Sequence, residues 1–323
     1  MPPLRFGFLI DPIETLIVGH DTSLAFMLEC QRRGHEVHSF EQKDLEYRAG
    51  EVTAAAKRLE LQRVKGDHYR VMAEGRIALG ALDVIFLRKD PPVDVEYLHS
   101  TQLVELAEGP VLVNDPAGLR DANEKLYVLR FPDLIPRTLV SRSVADLRVF
   151  LDELGGEMII KPIDGFGGRG ILHLRKGDRN VNSLLELATA GGRDAIVAQQ
   201  YLEASREGDM RIIVIDGEPV GAMMRVPQDD DVRGNLAAGG RSRKSALTDR
   251  EREICRRLAP DLRRRGLYFV GLDVIGGYLT EVNVTSPTGI EEINALDEVT
   301  IERPMIDFVE KTVLERRSRP VSR

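Results

Sequence analysis

Apolar runs at Leu4–Ile10, Val84–Leu87 and Val111–Val113, with a shorter one near Val37, alternate with segments of helical spacing such as Ser23–Arg33 and Val95–Ala107. Asp21, Thr22 or Ser23 offers the oxygen that caps the first of these helices. This rhythm predicts an open, largely parallel sheet. Its strands end in polar clusters, Asp11-Pro12 and Arg88-Lys89-Asp90-Pro91-Pro92. Ligands gather beyond the carboxyl ends of strands in such sheets, and the two clusters suit either binding or simple turns.

From about Asp121 the pattern changes. Strand-like Arg137–Val140, helical Val144–Leu154, strand Met158–Lys161, a glycine-rich loop, strand Ile171–Leu174, a helix around Asn182–Ala190 and strand Ile196–Leu202 predict a small α+β unit. A second run follows: strand Arg211–Ile215, a turn at Asp216-Gly217, and strand Pro219–Val226. Pro227–Arg243 is polar and carries Gly234, Gly239 and Gly240 without apolar period, the pattern of a functional or disordered loop. A helix over Asp249–Arg265, a Gly276-Gly277 hairpin joining Phe269–Ile275 to Tyr278–Val284, and a helix over Met305–Glu315 complete the chain. The resulting division is 1–121, 122–203 and 204–315, with a basic tail, 316–323, predicted to be disordered.

Composition narrows the function. The 323 residues carry 45 Lys+Arg against 52 Asp+Glu, a net charge of −7, with 5% aromatic residues and no Trp. Such a chain lacks the cationic face and stacking platforms that nucleic-acid binding requires. No apolar run reaches the roughly 18 residues that span a bilayer, and no secretory signal opens the chain. Cys30 and Cys255, far apart in helical stretches, read as reduced thiols of a cytoplasmic protein.

Four constellations carry candidate chemistry. Gly165, Gly167 and Gly170 form a GxGxxG after a strand, but the next element reads as a strand, whereas a dinucleotide fingerprint needs a helix there. The loop suits either a flap over phosphates or a plain hairpin. Lys161 ends the strand entering that loop, where an ammonium is placed to neutralise phosphates; Lys125 lies further upstream with less to distinguish it from a surface lysine. Glu281 and Asn283 share one face of their strand, and folding at Gly276-Gly277 with a three-residue loop brings Asp273 opposite Glu281. Two carboxylates that close repel unless a cation lies between them, which points to Mg²⁺. Finally, Arg211, Arg225, Arg233 and Arg241 recur at intervals, the last two enclosing small residues that would let the segment 226–241 open and close as a lid.

A lysine, a glycine loop and a late carboxylate–carboxylate–amide trio resemble the ATP-grasp fold. Over roughly Arg5 to Leu314 the chain resembles bacterial glutathione synthetases, in Arg88–Pro92, Arg120–Leu126, Lys161–Gly168, Ala198–Leu202, Arg233–Arg241 and Phe269–Ile290. The resemblance implies a Rossmann-like pre-ATP-grasp domain at 1–121, a lid subdomain at 122–203 and a C-terminal ATP-grasp subdomain at 204–315. It implies ATP contacts from Lys125, Lys161, Gly167, Gly168, Gln199, Gln200, Tyr201, Leu202, Asp209 and Arg211. Mg²⁺, or Mn²⁺ in its place, would bind Asp273, Glu281 and Asn283. The peptide or reacting phosphate would meet Arg225, Arg233, Asn235, Arg241, Asn283 and Ser286, with Arg211, Arg225, Arg233 and Arg241 as catalytic residues. The implied activity joins γ-glutamylcysteine to glycine through an acyl phosphate, in a cytoplasmic homotetramer. A ligase acting on a different peptide or amino acid is the alternative, and no residue stands out as a protein base. The acids at Asp229, Asp230 and Asp231 stand where such sequences usually carry glycine.

Overall fold

The computed structural model describes residues 2–228 and 240–318. Three sheets organise them. The first unit contains β1 (Arg5–Leu9), α1 (Thr22–Arg32), β2 (Glu36–Phe40), β3 (Leu45–Arg48), β4 (Glu51–Leu61), β5 (Tyr69–Ala78), β6 (Val84–Leu87), α2 (Val95–Glu105), β7 (Val111–Val113) and α3 (Pro116–Asp121). Its strands β2, β1, β6 and β7 run parallel, as the alternation predicts. Asp21 is the cap of α1, accepting from the Ser23 and Leu24 amides. The strands β3, β4 and β5 extend this sheet antiparallel, and the apolar pattern did not reveal them. β5 is almost wholly exposed, with no buried face to impose alternation, and in β4 two of the buried positions, Ala54 and Ala56, are too small to mark a strand.

The middle sheet takes the order β10–β9–β11–β8, from β8 (Thr138–Ser141), α4 (Val144–Glu153), β9 (Glu157–Pro162), β10 (Leu172–Arg175), α5 (Val181–Ala188) and β11 (Ile196–Gln200). Its own core forms where α4 and α5 cover it, around Leu147, Met158, Ile160, Leu185 and Ile196. The third sheet has the order β14–β13–β12–β15–β16, from β12 (Asp209–Ile215), β13 (Glu218–Val226), β14 (Arg241–Lys244), α6 (Asp249–Arg264), β15 (Phe269–Ile275) and β16 (Tyr278–Asn283). The edge strand β14 overlaps the end of the segment expected to be all loop. Its side chains are exposed or half-buried, so it shows no apolar period. The helices α7 (Ile290–Asp297) and α8 (Glu302–Ser318) follow.

The last helix returns to the first unit, where α1 and α8 pack together and Arg33 pairs with Asp307 and Glu310. Residues 316–318 of the expected disordered tail belong to α8: Arg316 donates to the Pro110 carbonyl and Arg317 pairs with Asp83. Two buried polar side chains pin the first unit to the third sheet. The Asn114 amide donates to the Phe269 and Val284 carbonyls and accepts from the Phe269 amide. Arg88 lies against the rings of Phe26 and Phe269 and donates to Ser23 Oγ and the Pro287 carbonyl. Burial holds its guanidinium down at about 10. Each pin ties a first-unit strand end to the strands and loops of the third sheet.

At the same junction α3 meets the end of α6 closely. A Cβ on Gly118 would lie 2.2 Å from the backbone oxygen of Arg265. Gly118→Ala is therefore expected to destabilise the protein by about 1–3 kcal/mol, as overpacking does, read as a lower urea midpoint; an unchanged midpoint would contradict this packing.

Candidate active site

The third sheet has two chemically different faces. Met210, Ile212 and Val214 of β12 join Leu272, Val274 and Val282 in a buried core, so the period of two turns Asp209 and Arg211 to the opposite face. There the registers align charges across four strands. Asp209 stands opposite Arg225, Arg211 opposite Asp273, Asp273 opposite Glu281, and Gly271 opposite Asn283. Further along the same face, Ile213, Ile215 and Met223 pack into the apolar core shared with the first unit. Charge and core thus divide one sheet face lengthwise.

The juxtaposition of Asp273 and Glu281 arises by a different route from the expected three-residue loop. Ile275 pairs with Tyr278, so the turn contains only Gly276 and Gly277, with φ of 55° and 80°. Positive φ at both positions is the twist-compatible two-residue turn that glycine accommodates without strain. A bulge between Asp273 and Val274 then shifts the pairing by one residue. Without it Asp273 would oppose Thr280, and Glu281 would fall on the Leu272 face.

The aligned side chains form a compact ion network. Arg211 donates to Asp273 from Nε at 2.6 Å and from its terminal nitrogen at 3.0 Å, and Arg225 reaches the same carboxylate at 2.9 Å. Arg225 also grips Asp209 in a bidentate pair at 2.8 and 2.6 Å. Burial pushes the Asp273 carboxyl up, but the two guanidiniums outweigh it and hold the group well below the ordinary carboxylate range. For Asp209, burial wins over the attraction of Arg225 and the carboxyl is raised. A pair of acids between two arginines leaves the network near neutrality, which makes its burial tolerable.

Two lysines and the glycine loop close over this row. Lys161 at the end of β9 is 8% exposed, and burial lowers its ammonium against the opposing pull of Glu281. Lys125 donates to the Gly165 carbonyl and lies 3.7 Å from Glu281, so it tethers the loop directly above the acid. The loop itself turns through Gly167, Gly168 and Gly170 at positive φ. A cavity between the middle and third sheets is lined by Lys161, Asp209, Asp273 and Glu281 and by Ile159, Gln200, Tyr201 and Leu202. Gln199 lines it too, its amide donating to Thr138 Oγ1. An apolar slot that opens onto ammonium and carboxylate groups matches a purine attached to a polyphosphate.

A second cavity of about 340 Å³ lies on the other side of Glu281, where Arg211, Arg225, Asn283, Ser286 and Gly167 line it. Among the described residues Glu281 alone lines both cavities. The sequence-predicted lysines, Asp209, Arg211, Arg225 and the metal trio therefore converge. Arg241 does not: it opens β14 opposite Val226, exposed and outside both linings. Arg233, Asn235 and most of the segment expected to act as a lid lie outside the described residues. Sequence analysis missed Glu124, whose half-buried carboxyl is raised by desolvation and by Glu281 and accepts from Thr285. It also missed His20, which enters the second cavity from the first unit.

The trio's donor set is two carboxylates and an amide, oxygen ligands suited to a hard divalent cation. Asp273 is buried and committed to its arginines, and Asn283 donates to it at 3.2 Å. Glu281, with 17% of its side chain exposed at the junction of the cavities, is the accessible ligand. The chemistry of these donors would suit Mg²⁺, with Glu281 the ligand open to it.

Comparison with known proteins identifies the family. The family model for the N-terminal domain of prokaryotic glutathione synthetase matches residues 4–120, and that for its ATP-grasp domain matches residues 124–298. A glutathione synthetase of Gloeobacter violaceus is 48% identical over 313 residues, covering 95% of this chain and 96% of the relative. One from Brucella melitensis is 46% identical over 308 residues, covering 95% and 98%. Among solved structures, D-cycloserine synthetase DcsG superposes with a TM-score of 0.65 at 16% identity, over 94% of this chain and 99% of that one. A RimK domain ATP-grasp protein of Sphaerobacter thermophilus gives 0.61, also at 16% identity, over 94% and 99%. Both likenesses show the ATP-grasp fold. With the two family models together spanning nearly all of its length, the chain belongs to the prokaryotic glutathione synthetase family.

Proposed function

We propose that this protein uses ATP to ligate the cysteinyl carboxylate of γ-glutamylcysteine to the amine of glycine, giving glutathione, ADP and phosphate. The observation that carries the reading is Glu281 at the junction of a nucleotide-shaped cavity and a substrate cavity walled by Arg211 and Arg225. A carboxylate is a poor electrophile. One of its oxygens therefore attacks the γ-phosphorus of ATP, the bond to the bridging oxygen breaks, and ADP leaves. Glycine nitrogen then attacks the acyl carbon and phosphate departs with the former carboxylate oxygen. The amine proton passes to that phosphate or to water.

This chain's residues supply charge and position. Lys161 and Lys125 face the transferring phosphoryl group from the glycine-loop side, and Arg211 and Arg225 offset charge from the sheet side. Gln199, Gln200, Tyr201 and Leu202 hold the base, Gly167 and Gly168 cover the phosphates, and Ser286 and Asn283 meet the dipeptide. Asp273, Glu281 and Asn283 would hold Mg²⁺, which when bound neutralises phosphate oxygens as a Lewis acid. We assign the chain to three units, 1–121, 122–203 and 204–315, and read the enzyme as a cytoplasmic homotetramer. Its two buried free thiols, Cys30 and Cys255, suit a reducing compartment, and no described helix is long and apolar enough to cross a membrane.

ADP release should require ATP, Mg²⁺, γ-glutamylcysteine and glycine together; release indifferent to dipeptide and amine would reject the assignment. Glu281→Gln should keep the thermal midpoint while lowering kcat at least about 100-fold, with a rightward shift in the Mg²⁺ titration. Wild-type turnover at limiting Mg²⁺ would remove Glu281 from that role. Lys161→Met should raise the KM for ATP by about 10- to 100-fold, measured at saturating dipeptide and glycine; an unchanged KM would place the phosphates elsewhere.

A further inference from the structure

The wall of the substrate cavity contributed by the first unit carries groups for which phosphoryl transfer has no use. His20 stands just before α1 and Asp90 just after β6, and both line the cavity that Arg225 and Asn283 line from the sheet. The Nδ1 of His20 lies 2.5 Å from Glu292 Oε1 on α7, so Nε2 is the ring nitrogen available to a ligand. The second oxygen of Glu292 is buried without a hydrogen-bond partner among the described residues. The hydrogen bond to Glu292 outweighs desolvation and raises the imidazole above its ordinary value, which favours the ring that donates from both nitrogens.

Asp90 is the complementary charge. Its carboxyl lies above the ordinary value through desolvation at the cavity wall, a shift that the Ser286 hydroxyl opposes. The neighbouring ammonium of Lys89 is committed elsewhere, to Asp11 Oδ1 at 3.1 Å and to the Asp90 backbone carbonyl at 2.6 Å. Among the described residues no ion pair engages the Asp90 carboxylate. One wall of the cavity thus offers an unpaired carboxylate and an imidazole backed by a carboxylate, both from loops at the carboxyl ends of β1 and β6.

We infer that Asp90 and His20 form a receptor for a free α-amino-acid head, with its ammonium on Asp90 and its carboxylate on the His20 Nε2 hydrogen, and that this head is the γ-glutamyl end of the dipeptide. The inference rests on the proposed ligase activity and adds to it the residues that choose the dipeptide. A γ-linkage leaves both α groups of the glutamyl residue free, whereas an ordinary α-linkage leaves only the ammonium on the first residue's α-carbon. The cysteinyl carboxylate must lie against Arg211, Arg225 and Glu281, on the sheet wall. The zwitterionic end then meets the wall built by the first unit. Glycine is a poorer occupant, because its nitrogen must reach the acyl carbon beside Glu281. An analogue that lacks either charge leaves its partner in this wall without a counterpart, which weakens its binding.

The test measures ADP release by the full-length enzyme with ATP, Mg²⁺ and glycine saturating and three donors: γ-glutamylcysteine, glutarylcysteine, which lacks the α-ammonium, and γ-aminobutyrylcysteine, which lacks the α-carboxylate. The wild type should show a KM about 10-fold or more higher for either analogue. Asp90→Asn should raise the KM for γ-glutamylcysteine by a similar factor while leaving that for glutarylcysteine unchanged. His20→Gln should do the same relative to γ-aminobutyrylcysteine. In both variants kcat, the KM for glycine and the affinity for ATP should stay near wild type, which also reports an intact fold. Equal KM values for all three donors in the wild type overturn the receptor, and need no variant to fold. A variant that weakens all donors alike, or that raises the KM for glycine instead, overturns it as well. A wild type that releases no ADP with γ-glutamylcysteine removes the ligase reading, and the receptor falls with it.

Discussion

The site depends on a row of acids and arginines laid across adjacent strands of one sheet. Arg225, Asp209, Arg211, Asp273 and Glu281 occupy paired or neighbouring positions on β13, β12, β15 and β16. Each arginine touches the acids beside it at 2.6 to 3.0 Å. Removing Arg211, Arg225 or Asp273 would leave a neighbour charged, buried and unpaired, a penalty of about 3–5 kcal/mol for a buried pair, whereas the more accessible Glu281 lies outside these contacts. The backbone ladder and the ion network consequently enforce the same register, and a slip in either would disrupt both.

That row stands at the junction of three bodies. The middle sheet brings Lys161 and the glycine loop over it, and Lys125 ties the loop's Gly165 carbonyl to the neighbourhood of Glu281. The first unit approaches from the other side, fastened by the Arg88 and Asn114 pins to the strands and loops that carry the network. Both pins are buried polar contacts that bind to main-chain carbonyls. They locate the His20 and Asp90 loops relative to the sheet without contributing reactive groups to the cavity.

Much of this arrangement can be read along the chain. The parallel strands, α1 with a cap among Asp21, Thr22 and Ser23, the lid elements and the hairpin arms all follow from periods of 3.6 or 2 and from cap and turn residues, which are local signals. Glu281 and Asn283 share a face for the same reason. Where burial does not impose a period, the pattern is silent: the exposed β5 and the edge strand β14 left no trace, and α8 runs three residues further than its apolar spacing suggests.

Other features depend on contacts between distant segments. The bulge at Asp273/Val274 decides whether Glu281 meets Asp273, and it depends on how β16 settles against β15 rather than on the turn residues alone. The meeting of His20 with Glu292, of Asp90 with Ser286, and of Lys125 with Gly165 joins segments between 40 and 272 residues apart. Local patterning assigns each residue a strand face or helix stripe because that choice involves near neighbours only. Which faces come together, and which charges lose their water, is settled when the sheets pack, because desolvation and Coulomb attraction between remote segments exist only in the assembled fold.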